Sequence, residues 1–233
     1  MLSLIFKRCG FLLFCVIAMT ARGQDAETLL RQVRDKLAKV NDYKASAILK
    51  TNVPFIRMPE SEVDVYFKRP DKFRIKKEGG VSVLPKGGVS INISSLLTDN
   101  KFTAVPGGEV LLSGTMVKVI KLLPLDESAD VVLTTLYIDQ KKLLIRKTTT
   151  TTRDNGTYEM EMDYGKFADW GLPDKIIFIF NTKNFSLPKG MTLEYEGGSK
   201  PAAQKAAKEQ KGKIEITYSS YSINKGIGEE VFK

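Results

Sequence analysis

The chain has 233 residues, 36 of them basic and 27 acidic, with two cysteines and no histidine. The missing histidine excludes Ser-His-Asp and Cys-His nucleophilic catalysis and histidine-ligated zinc. A net charge of +9 suits anionic head groups or an acidic protein partner; nucleic acid is not expected, because no aromatic–arginine binding motif accompanies the charge.

Residues 1–23 read as a secretory signal peptide. Lys7 and Arg8 give a positive start, Phe11 to Met19 is an apolar run too short to span a bilayer, and Ala21 and Gly23 place small residues at the two cleavage positions. An uncleaved anchor is the alternative, since Arg22 is unusual so near a cut. Neither Cys9 nor Cys15 follows the small residues that a lipoprotein signal needs. The expected product is therefore soluble, unlipidated and begins at Gln24. Both cysteines leave with the leader, so no disulfide is available and one domain, residues 24–233, must rely on its core. Losing Lys7, Arg8 and Arg22 leaves 33 basic against 27 acidic residues, a net charge of +6.

Asp25 can cap a first helix, whose apolar stripe is Ala26, Leu29, Leu30, Val33, Leu37 and Val40. Asn41-Asp42 ends it. Tyr43 to Asn52 reads as a strand and Pro54 to Pro59 as a loop. From Ser61 to Glu78 the chain alternates strictly. Val63, Val65 and Phe67 take one face; Asp64, Tyr66 and Lys68 take the other. Arg69-Pro70-Asp71 breaks the run, since Pro70 has no N–H for a ladder. Phe73 and Ile75 then share a face opposite Arg74 and Lys76, so a bent or hairpin pair of strands is predicted, with an arginine at its corner.

Beyond Gly79, glycine pairs at 79–80, 87–88 and 107–108 read as turns separating Val81–Leu84, Val89–Ile93 and a Leu96–Val105 hairpin turning at Asp99-Asn100. None precedes Lys-Ser/Thr, so none reads as a phosphate loop. Met116 to Leu123 is β-branched enough for a strand, but Thr115 as cap and Pro124 as stop favour a short helix. Val131 to Asp139 and Leu143 to Arg153 are predicted strands joined at Gln140-Lys141, with the run Thr148 to Thr152 taken as strand surface. Asp154-Asn155-Gly156 is a hairpin turn. Tyr158, Met160, Met162 and Tyr164 follow on one face, either as plain core or as a soft wall for a variable apolar ligand. Trp170 to Asp174 is a turn. Ile176 to Phe180, apolar on both faces, is predicted to be a central strand covered on both sides. Met191–Glu196 and Lys213–Ser222 are expected to form a hairpin. Gly197 to Gly212, lysine-rich and aperiodic, reads as a mobile loop, with a membrane-surface helix as the lesser alternative.

The sum is a mainly β fold: a strongly curved antiparallel sheet, an unclosed half-barrel, with helices on its concave face. Nothing in the pattern points to catalysis, a metal or a cofactor.

Lys68-Arg69-Pro70 after an apolar-alternating strand, with an aromatic and a second strand following, resembles the LolA/LolB lipoprotein carriers of Gram-negative envelopes. The preceding LLRQVRDKLAKVNDYKASAIL and the downstream SLLTDNKFTAVPGG are similar to segments of the same superfamily; Gly197 to Gly212 has no counterpart in that pattern. The resemblance implies a monomeric, non-enzymatic periplasmic carrier of acylated lipoproteins or other lipids, a transport chaperone for lipoprotein sorting to the outer membrane. It also implies an inner-membrane exporter and an outer-membrane acceptor as partners. A non-transporting envelope-stress sensor or interaction module of the same fold is the alternative. On the strand faces, an apolar lipid cavity would be lined by Val63, Val65, Phe67, Phe73 and Ile75, and across the sheet by Tyr158, Met160, Met162, Ile177 and Phe178. In the family, short helices cover the open face as a lid. Met116, Val119, Ile120 and Leu123 are the candidate lid. Arg69 falls on the family arginine thought to latch that lid through its carbonyls near Leu122 and Leu123; the plainer reading is an exposed corner residue.

Overall fold

One amphipathic helix and ten strands account for nearly all of the described backbone. The computed structural model of the chain describes residues 25–53, 59–77, 102–154, 156–181 and 211–232. Helix α1 covers residues 25–37. It buries Ala26, Leu29, Leu30 and Val33, while Arg31 and Asp35 face solvent, as its stripe predicts.

The strands are β1 (Asp42–Asn52), β2 (Ser61–Lys68), β3 (Lys72–Lys77), β4 (Phe102–Leu112), β5 (Thr115–Pro124), β6 (Val131–Asp139), β7 (Leu144–Thr152), β8 (Thr157–Asp163), β9 (Lys175–Asn181) and β10 (Lys211–Ile223). They form one antiparallel sheet in the order β3-β2-β1-β10-β9-β8-β7-β6-β5-β4, which has two ends and does not close. At about 4.8 Å between strands, a flat sheet of ten would be roughly 43 Å wide. Helix α1, at about 1.5 Å per residue, is roughly 20 Å long. Its buried side chains nonetheless share a single core with Val65 and Ile75 towards one end of the order and Ile120 and Leu122 towards the other. The sheet curves around the helix, with its inner face apolar. Its outer face is polar. Lys147 lies 2.6 Å from Glu159 and Lys175 lies 2.7 Å from Glu215, half-buried ion pairs at the solvent side of the sheet.

Several expectations are corrected. Met116–Leu123 is not a helix but part of β5. Ser113 and Gly114, with φ of 47° and 78°, form a two-residue turn of the type that joins antiparallel strands, and β5 pairs with β4 from Thr115 to Pro124 and with β6 from Lys118 to Leu122. Gly107-Gly108 is not a turn. It lies within β4, at a break of register between Pro106 and Glu109, and a Cβ on Gly107 would stand 2.7 Å from Val119 Cγ1. Strand β9 is central, but only Ile176, Phe178 and Phe180 are buried; Ile177 and Ile179 are half-buried on the outer face. Lys211 and Gly212, expected in a loop, begin β10 and pair with Asn181 and Phe180. The remainder of 197–212, the segment Met191–Glu196, the expected strands 81–84 and 89–93, the turn at 99–100 and the leader 1–23 lie outside the described residues.

Candidate functional site

Direct cross-strand partners share a face, so the register shows which side chains the inner face gathers. One row runs Leu122, Thr134, Thr150, Tyr158, Phe180 and Gly212 across β5 to β10. The next runs Ile120, Leu136, Thr148, Met160, Phe178 and Ile214. Towards β3, Ala47 meets Val63, Ala45 meets Val65 and then Ile75, and Tyr43 meets Phe67 and then Phe73.

Of the ten residues expected to line a cavity, nine stand on this face. Val63, Val65, Phe67, Ile75, Tyr158, Met160, Met162 and Phe178 are buried in the common core, and Phe73 packs against it. Ile177 does not join them: it is paired with Glu161 and Glu215 on the outer face, as strict alternation with Phe178 requires. The expected lid residues are dispersed. Ile120 is on the inner face. Val119 pairs with Tyr137, on the face opposite Ile120. Met116 and Leu123 are exposed.

Arg69 binds a helix end, though not the one expected. Its Nη1 donates to the Ala38 carbonyl at 3.0 Å, and its backbone N–H donates to Asn41 O at 2.9 Å. Ala38 immediately follows α1, where carbonyls have no intrahelical partner. The neighbouring Lys39 carbonyl accepts from Asn224 Nδ2 at 2.8 Å, and Asn224 Oδ1 accepts from Asn41 N at 2.7 Å. Lys36 Nζ donates to Lys142 O, in the β6–β7 turn, at 2.7 Å. Gly171, at φ 70°, approaches so closely that a Cβ there would lie 2.9 Å from Leu37 Cδ2. Four separate parts of the chain thus grip the C-terminal end of α1.

Below this grip lies an aromatic cluster. Tyr221 is 5.2 Å from Tyr43, 5.0 Å from Tyr218 and 4.8 Å from Phe167, between ring centres. Burial pushes the phenols of Tyr43, Tyr218 and Tyr221 well above the ordinary tyrosine range. They stay neutral and act as rigid packing. A second cluster, Tyr158, Phe178 and Phe180, lies at the other end of β8 and β9, with ring centres 5.1 and 5.4 Å apart.

The buried threonines are a correction. Thr148 and Thr150 are 0% exposed and Thr134 is 2% exposed, whereas the threonine run was expected at the strand surface. The signal was the phase of Thr148, Thr150 and Thr152 against Tyr158 and Met160, which becomes readable only with the register. Among the described residues no group of three or more His, Cys, Asp or Glu could hold a metal ion, and no helix is long and apolar enough to cross a membrane.

No family model and no curated protein sequence matches the chain. Solved structures do match. A domain from Vibrio parahaemolyticus, described as an outer membrane lipoprotein-sorting protein, superposes with a TM-score of 0.53 at 10% identity, covering 89% of this chain and 97% of its own. A LolA superfamily protein from Nitrosomonas europaea gives 0.54 at 9% identity, over 89% and 97% of the two chains. The chain has the LolA-type fold. A DUF1329 family protein from Desulfovibrio piger shares it, with a TM-score of 0.54 at 10% identity over 91% and 97%. At such low identity the correspondence is one of architecture. In this LolA-type fold the described α-helix is α1, and the segment expected to supply the lid is a strand.

Proposed function

We propose that the protein binds the acyl chains of lipoproteins or other lipids against the inner face of its sheet and carries them through the periplasm towards the outer membrane. The observation that carries the reading is the largely apolar inner face, from Phe73 on β3 to Ile120 on β5, gathered around one α-helix in a LolA-type fold. Moving a CH₂ group from water into apolar surroundings is worth about 0.8 kcal/mol, so a chain of some 15 such groups gains on the order of 12 kcal/mol. Binding of that size needs no chemistry, only an apolar lining that can be opened and closed.

In this reading α1 is the cover. Its apolar stripe packs on the face that an acyl chain would occupy, and Arg69 holds its last turn. A guanidinium keeps its charge at every physiological pH and offers a fixed fork of donors. A few such bonds are strong enough to keep the empty protein closed and weak enough for an entering chain to displace. The nine inner-face residues from Val63 to Phe178 would then border the cargo. Export through the leader at residues 1–23 would deliver the carrier to the compartment where lipoproteins cross.

The test is release. Vesicles bearing a triacylated lipoprotein are incubated with purified protein, and the lipoprotein is assayed in the supernatant after centrifugation. Stoichiometric soluble complex is expected. No release above a buffer control, with the protein folded, would sink the carrier reading.

A further inference from the structure

The inner face is not uniformly apolar. A block of hydroxyls crosses it at β6, β7 and β8. Thr134 and Thr150 are opposite each other, with their Oγ1 atoms 3.2 Å apart. Tyr158 is the next residue of the same row. Thr148 lies two positions along β7 from Thr150, between Leu136 and Met160. It is completely buried, and its Oγ1 has no hydrogen-bond partner.

Threonine is favoured in strands, which accounts for Thr149 and Thr151 on the outer side. It does not account for Thr148. Valine has the same shape and the same strand preference, and it avoids burying an unsatisfied hydroxyl. Thr150 faces Thr134 and also hydrogen-bonds the Tyr158 phenol, so Thr148 is the hydroxyl of this block that has no partner. No charged side chain stands beside these hydroxyls in either row from β5 to β9. The block therefore offers neutral donors with no cation in either row, and the charge that Tyr158 feels is the carboxylate of Asp130, which matches a neutral carbonyl and disfavours a free carboxylate or phosphate.

We infer that Thr148, with Thr134, Thr150 and Tyr158, forms a polar subsite that takes the ester or amide carbonyl at the head of an acyl chain, while the tail runs along the apolar remainder of the inner face. The inference rests on the carrier reading and adds a fixed point to it: cargo would be held in register by its carbonyl rather than sliding freely.

Three fluorescent polyenes separate the two ideas. Diphenylhexatriene is a hydrocarbon, cis-parinaric methyl ester carries a carbonyl, and cis-parinaric acid carries a carboxylate. The unaltered protein should bind all three, the ester more tightly than the acid. Thr148→Val should weaken ester binding roughly three- to tenfold, the effect of one neutral hydrogen bond, and leave diphenylhexatriene unchanged. Thr148→Ser should retain ester binding, and Thr149→Val, on the outer face, should alter nothing. Thr134→Val provides the same comparison if Thr148→Val does not fold. If no probe binds the unaltered protein, the carrier reading fails and takes the subsite with it. If diphenylhexatriene binds but ester and hydrocarbon affinities move together in every variant, the subsite is overturned and the carrier reading stands.

Discussion

Replacing Arg69 by leucine tests the grip on α1. The change deletes the 3.0 Å bond from Nη1 to Ala38 O and leaves the backbone bond to Asn41 O in place. Hydrogen bonds to charged groups contribute about 1.5–3 kcal/mol. Arg69 is half-buried, so the low end applies, about 1.5 kcal/mol. A cation beside a helix C-terminus adds about 0.3–1 kcal/mol. The expected loss is roughly 2 kcal/mol, which for a chain of this size lowers the melting temperature by about 4–8 °C. The loss should be local in origin. The amides of Ala38, Lys39 and Val40, which close the last turn onto the Arg34, Lys36 and Leu37 carbonyls respectively, should exchange faster with solvent deuterium than those of β6 and β7. Arg69→Lys should be intermediate, because it keeps the charge and loses the fork. Asn224→Ala removes the partner of Lys39 O. The two sites share one turn, so their combined effect should depart from the sum. An Arg69→Leu protein that melts within about 1 °C of the original, with unchanged exchange at residues 38–40, would refute the grip and the α1 cover together.

Glu229 is held at about pKa 2 by hydrogen bonds from Lys68 first and Lys72 second. A depressed carboxyl contributes stability above its unfolded value near 4.5 and loses it as the pH falls through about 2. The turn Glu229–Phe232 should therefore loosen from β3 over that acid window, read as a chemical-shift change, and Lys68→Ala should move the transition to higher pH. Gly212→Ala would place a Cβ 2.5 Å from Phe180 Cζ and should cost about 1–3 kcal/mol through overpacking, seen in urea unfolding; a neutral result would mean that the ring has room to move. The exported protein should begin at Gln24 by intact mass, and a product retaining residues 1–23 would remove the soluble carrier.

What the sequence made legible was local. Val63, Val65 and Phe67 alternate cleanly because only one face of β2 is buried, and the stripe of α1 needs no partner to be recognised. β5 failed for a physical reason. MVKVIKLL fits a helical period as well as a strand, and Thr115 and Pro124 imitate a cap and a stop. The deciding facts were the left-handed φ of Ser113 and the partnership with β6, and the second of these is non-local. Ile177 was ambiguous in the same way: an apolar run does not say which residues point inwards until Glu161 and Glu215 are placed beside it. The partner of Arg69 depends on how a corner at residue 69 meets a helix end at residue 38, and the threonine block on the register of three strands.

Strand β10 has a consequence for how the chain can fold. It lies between β1 and β9, and pairs Tyr43 with Ile223. Within the described residues β1 to β3 and β4 to β9 meet in the sheet only through this last strand. Each pair between β1 and β10 spans most of the sequence, a topology that folds slowly because the loop entropy is spent before the contacts form. A chain emerging N-terminus first cannot complete its sheet until residue 223 is free, so the nascent protein stays unlocked throughout its synthesis on the ribosome. Truncation ahead of residue 211 would leave two half-sheets, each with a raw edge that can recruit a strand from another copy.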